Sequence, residues 1–78
     1  MNKIDSNIEL SIIVPAYSEE KRIGLALDKI SDYLTKDDYF KNKSVEVIVV
    51  AADTSDKTHT IVEAKKSLFK HFVFLIVV

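Results

Sequence analysis

The sequence predicts an α/β fold, a β-α-β-α-β chain forming a three-stranded parallel sheet with spatial order 3-2-1. Three short apolar runs rich in β-branched or aromatic residues, about Leu10 to Val14, Val45 to Val50 and Phe72 to Val78, are the first observation. The second is that the two longer segments between them place apolar residues every three or four positions, the spacing of amphipathic helices. Strands joined by helical crossovers pair in parallel, and right-handed connections put the second strand between the other two.

Residues 1–8 read as a polar lead-in, and residues 9–78 as one domain. Ser11 to Val14 is a buried strand that ends at Pro15, where the ladder no longer needs a donor. Tyr17 falls in the loop at its carboxyl end. Ser18 is a suitable N-cap, and Glu19 and Glu20 fall in the first helical turn, where unpaired amides favour negative charge. The first helix carries Ile23, Ala26, Leu27, Ile30, Tyr33 and Leu34 on one stripe, with Lys21, Arg22, Asp28, Lys29 and Asp32 on its wet face. Gly24 costs about 1 kcal/mol against alanine inside this helix and is expected to allow close contact with the sheet. Thr35 to Ser44 is a polar connection, with Tyr39 and Phe40 folded back over the helix end and Asp37-Asp38 in a loop role.

After the second strand, Ala51 to Asp56 is an exit loop in which Thr54 or Ser55 can cap the next helix, with Asp56 an acid at its start. That helix places Ile61, Val62, Leu68, Phe69 and Phe72 on one side, and Lys65, Lys66 and Lys70 on a solvated face toward its carboxyl end. Phe72 to Val78 is seven apolar residues in a row, far short of the roughly 20 needed to cross a bilayer, so it is read as a third strand buried on both faces.

The chain has 78 residues, 47% hydrophobic and 29% charged, which is a globular composition. Eleven basic and twelve acidic residues give a net charge of −1, leaving no field to attract a nucleic acid or an anionic membrane over a distance. No cysteine is present, which removes disulfide and thiolate chemistry, and the polar start lacks the apolar stretch of a signal peptide. These features fit a cytoplasmic protein. His59 and His71 lack metal-ligand spacing and are read as solvated.

In an open α/β sheet, ligands bind beyond the carboxyl ends of the strands. The loops that start at Pro15 and Ala51 leave neighbouring strands on that edge, which gathers Tyr17, Glu19, Asp53 and Asp56 around one crevice. Phosphate-cradling loops need glycines for tight turns and close backbone approach, and the one glycine here lies in a helix. A dinucleotide fingerprint and a P-loop are thereby excluded. A phospho-acceptor receiver domain is excluded too, because the first strand ends in Val14-Pro15 rather than in acids. Carboxylates and a flat ring suit a base and a ribose better than phosphates.

Ser-Ile-Ile-Val-Pro-Ala-Tyr-Ser-Glu-Glu, followed by Val-Glu-Val-Ile-Val-Val and Thr-Ser-Asp-Lys-Thr, resembles the amino-terminal part of the family 2 glycosyltransferases of GT-A fold, particularly those resembling dolichyl-phosphate sugar synthases. The resemblance covers nearly everything from Leu10 onward and implies a Rossmann-like nucleotide-sugar-binding domain. It implies that Pro15, Ala16, Tyr17 and Glu19 line the nucleoside pocket for a UDP- or GDP-sugar, although Glu19 serves equally as a first-turn acid. The family usually has Asn where Ser18 stands, and Val-Val-Asp-Asp-Gly-Ser-Thr-Asp after its second strand. A gapless match sets Ala51 and Ala52 on the two acids. A slip of one residue, the favoured alignment, lets Asp53 take the place of the base-reading acid. Family members hold Mg or Mn through a later Asp-x-Asp pair and carry a catalytic base on later segments. No Asp-x-Asp occurs in this sequence, so the resemblance implies donor contacts without cofactor ligands or catalytic residues. Apolar strand edges, with few elements to cover the sheet, add the expectation of a homo-oligomer or of pairing with a missing carboxyl half.

Overall fold

The computed structural model describes residues 8–16, 20–52 and 56–77. Its elements follow the predicted order: β1 Leu10–Pro15, α1 Glu20–Lys36, β2 Val45–Ala52, α2 Asp56–Lys65, a 3-10 turn Lys66–Leu68, and β3 His71–Val77. Both strand pairs are parallel and β2 lies in the middle, as right-handed crossovers of β-branched strands require. Ile12, Val47 and Phe72 stand side by side in the register, as do Val14, Val49 and Phe74. On this face of the sheet the core forms from Val47, Val49 and Ala51, covered by Ile23 and Leu27 of α1 and Val62 of α2.

Both crossovers step in the same direction across the sheet, so their helices share one face and touch each other. The overall extents of 33 × 31 × 17 Å fit one sheet under one layer of helices, since packed layers lie about 10 Å apart. This arrangement corrects three expectations. A Cβ on Gly24 would lie 3.3 Å from Ile61 Cγ2 and 3.7 Å from Lys65 Cε, so the glycine lets α1 approach α2 rather than the sheet. Lys65 is not on a solvated face: its ammonium lies 2.8 Å from Asp28 Oδ1, tying the two helices together. The third concerns the strands, for Ile13 on β1 is 65% exposed and Leu75 on β3 is 47% exposed, with Val73 and Val77 exposed beside it. Neither strand is buried on both faces, because among the described residues no helix covers the second face.

The second helix also ends sooner than its apolar spacing suggests. Phe69 donates its N–H to the Lys66 carbonyl at 3.2 Å, closing the 3-10 turn, and adopts extended dihedrals of φ −121° and ψ 144°. Phe69 and Phe72 then stack at 5.4 Å across the entry to β3 instead of lying on one helical stripe, while Leu68 is left exposed. In the α1–β2 connection, Asp37 Oδ1 accepts the Tyr39 N–H at 2.8 Å and the Asp37 carbonyl accepts from Phe40 and Lys41, making a compact turn. Phe40 is half-buried, whereas Tyr39 is exposed with the Lys43 ammonium 4.7 Å from its ring centre, so only Phe40 packs inward.

Gly24→Val should lower stability by about 1–3 kcal/mol through overpacking against Ile61, despite the better helix propensity of valine. A urea midpoint equal to or above that of the parent chain would show that α1 can move away from α2 without loss.

Candidate functional site

The carboxyl edge of the sheet is built by a single extension of the ladder. Ala16 donates its N–H to the Val50 carbonyl at 2.8 Å, carrying the β1–β2 pairing one residue past Pro15. Backbone groups of successive strand residues point to opposite sides, so the nitrogen of Pro15 faces the free edge of β1, where a missing N–H forfeits no ladder bond. Pro15 is thereby compatible with the strand and denies a donor to any strand approaching from outside. Ala16 is then buried, at 2% exposure, and packs in the same core as Ala51, which is fully buried. Two small side chains at adjacent strand ends bring the departure points of both exit loops close together.

Of the residues expected to line the crevice, the structure places Pro15 as the last residue of β1 and Ala16 just beyond it. Tyr17, Glu19 and Asp53 lie outside the described residues, as do the capping positions Ser18, Thr54 and Ser55. Val45–Ala52 runs two residues further than the expected strand, with Ala51 in the core and Ala52 exposed on the uncovered face. Thr58 was not foreseen: it is 4% exposed in the first turn of α2 and is engaged by a partner. The only available sequence signal was a β-branched hydroxyl residue three positions after a capping serine.

The described charges serve the packing of α2 more than the crevice. Lys66 bonds Glu63 at 2.9 Å and, with a smaller pull from His59, holds that carboxyl below the usual carboxylate range. The His59 ring also meets Phe74 of β3 edge-on at 5.5 Å, so it is a packing residue as well as a half-exposed one. Among the described residues no three His, Asp or Glu side chains converge on a point. Also among the described residues, no helix is long and apolar enough to cross a membrane.

Comparison with known proteins decides the family. The sequence pattern described as "Glycosyl transferase family 2" matches residues 11–77. The chain belongs to that family. A dolichyl-phosphate beta-glucosyltransferase of Trichomonas vaginalis is similar to it, 36% identical over 58 residues that make up 73% of this chain and 18% of the relative. This family 2 glycosyltransferase chain thus spans less than a fifth of that relative's length. No solved structure matches it significantly. The matched stretch runs from the second residue of β1 to the last of β3, so it takes in all of the sheet but Leu10.

The core position of Ala51 bears on how the family's acidic pair aligns here. Ala51→Asp should cost about 3–5 kcal/mol at pH 7, the scale for an uncompensated buried charge, whereas Ala52→Asp at an exposed position should change stability by less than about 0.5 kcal/mol. Burial raises the folded-state pKa of the new carboxyl, so the penalty is complete above that raised value and fades as pH falls toward the unfolded-state value. Urea midpoints at pH 7 and near pH 4 measure both effects; equal midpoints for the two variants at pH 7 would mean that position 51 opens readily to solvent.

Proposed function

We propose that this family 2 glycosyltransferase chain is a donor-binding unit that takes up a nucleotide-diphosphate sugar, UDP- or GDP-linked, at the carboxyl edge of its sheet. The observation that supports the reading is the Ala16–Val50 hydrogen bond, which joins the ends of β1 and β2, the points from which both exit segments depart within the family match. In this reading Pro15 and Ala16 form the floor. Tyr17 packs on the base, Glu19 and Asp53 accept from base N–H or ribose hydroxyl groups, and the chain acts in the cytoplasm. The name of the Trichomonas relative points to a glucosyl donor. With no Asp-x-Asp in the sequence and no convergence of three His, Asp or Glu side chains among the described residues, the unit binds donor without transferring the sugar by itself.

Calorimetric titration with UDP- and GDP-sugars, with and without manganese, tests this. Binding should depend little on metal, and Asp53→Ala should weaken it by roughly ten- to a hundredfold, the equivalent of about 1–3 kcal/mol for a lost buried hydrogen bond. Unchanged affinity in that variant would remove Asp53 from the site and favour the gapless alignment. Turnover of a nucleotide sugar above a buffer control would overturn the non-catalytic part of the proposal.

A separate observation favours a second reading, an interaction module acting through self-association. Ile13, Pro15, Val73, Leu75 and Val77 are exposed together on the uncovered face, with half-buried Ile48 and Val50 between them. Contiguous apolar surface of this kind marks an interaction site or an aggregation hazard. Sedimentation velocity at tens of micromolar should show a dimer or larger species, which Ile13→Glu combined with Leu75→Glu converts to monomer. A monodisperse parent monomer that unfolds cooperatively would sink this second reading and leave the first untouched.

A further inference from the structure

The amino-terminal edge of the sheet, opposite the proposed donor site, holds a cleft of about 490 Å³ between the α1–β2 turn and the segment that enters β3. Its volume lies within the range of small-molecule pockets, roughly 300–1,000 Å³. Lys41, Lys43, Lys70 and His71 all line it, and no aspartate or glutamate does, although acids outnumber bases in the chain by twelve to eleven. Phe40 and Phe69 contribute apolar wall between these basic residues.

Two of the lysines are positioned rather than free to wander. The Lys43 ammonium sits over the Tyr39 ring at 4.7 Å, an arrangement that orients the cation while leaving its charge intact. Lys41 pairs at 3.0 Å with Asp38, whose side chain is almost fully exposed and outside the cleft lining, so screening leaves much of the lysine charge available to a closer anion. Lys70 and His71 have no ion pair among the described residues. Donor-only ammonium groups beside half-buried rings suit a ligand with a multiply charged anionic head and an apolar body.

We propose that this cleft binds a small organic phosphate, with the phosphate held by Lys43, Lys70 and His71 and an aromatic or alkyl group lodged against Phe40 and Phe69. The site is independent of the donor-binding reading, since none of its lining residues lies at the carboxyl edge.

Amide NMR titration of the whole chain with phenyl phosphate, inorganic phosphate and phenol, used separately, tests the proposal. Phenyl phosphate should give saturable shifts confined to residues 40–44 and 68–71, with a Kd in the millimolar range or tighter. Its affinity should exceed that of either half-ligand by roughly tenfold or more, since each half makes only part of the contacts. Lys43→Ala with Lys70→Ala should reduce that affinity by roughly tenfold while leaving the spectrum otherwise folded. Lys29→Ala, on α1 outside the cleft lining, should change nothing. Absence of saturation, affinity equal to that of inorganic phosphate, an unaffected double variant, or shifts centred on residues 15–16 and 51–52 would each overturn the proposal. So would association with phosphatidic acid vesicles in the absence of any phenyl phosphate binding, which would assign the cations to a membrane surface.

Discussion

The fold depends on β2 being paired along both edges and covered on one face. Its alternate residues Val45, Val47, Val49 and Ala51 are buried, and the register sets Ile12 and Phe72 beside Val47, and Val14 and Phe74 beside Val49. Ile23, Leu27 and Val62 close this face from above. Both helices must lie there because each crossover advances the chain one strand in the same direction with the same hand. The other alternation, through Ile48 and Val50, has its strand neighbours Ile13 and Val73 or Pro15 and Leu75, and among the described residues no helix lies over it. A sheet apolar on both sides but covered on one is therefore a geometric consequence of the element order, and mutation of any single surface residue would leave it in place.

This separates what was legible in the sequence from what was not. Element order, strand pairing and the middle position of β2 could be read because they follow from periods of two and of three to four and from the handedness of crossovers. The apolar run at β3 encodes a strand suited to cover on both faces, but a run of residues carries no information about whether a second layer is present; Val73 and Leu75 were therefore misjudged. Gly24 and Lys65 were misread for a related reason. Their roles are set by the distance between α1 and α2, and helical spacing identifies a residue's face without naming the neighbour beyond it. At the carboxyl edge, β1 ends at Pro15 as the strand run and its proline indicate, whereas the burial of Thr58 is a tertiary fact that no local pattern states.

The two ends of the strands differ in chemistry although the net charge is close to zero. By sequence position, Glu19, Glu20, Asp53 and Asp56 follow the carboxyl ends of β1 and β2, whereas Lys41, Lys43, Lys70 and His71 line the amino-terminal cleft. Carboxylates of this kind accept from base N–H and ribose O–H groups and repel a bare diphosphate. The lining of the amino-terminal cleft offers donors, while Glu9, which accepts the Ser44 N–H at 3.1 Å, and Glu46, beside His71 in the register, stand outside that lining. Local segregation of this kind is invisible in a net charge of −1, which constrains long-range steering but not the character of a cleft only a few side chains across.

The uncovered face and the carboxyl edge are physically continuous, because Pro15, Val50 and Ala52 belong to both. A second copy seated on the face, as the self-association reading proposes, would therefore also stand beside the carboxyl edge. Covering the face excludes water beside the crevice and strengthens each hydrogen bond made there, since the same donor and acceptor interact more strongly at lower local dielectric. Thermodynamic linkage then requires the converse: a nucleotide bound at the edge must tighten the contact on the face by the same factor. The proposed donor binding and the proposed self-association are then two halves of one equilibrium, with Val50, Ala52 and Pro15 as the residues common to both surfaces.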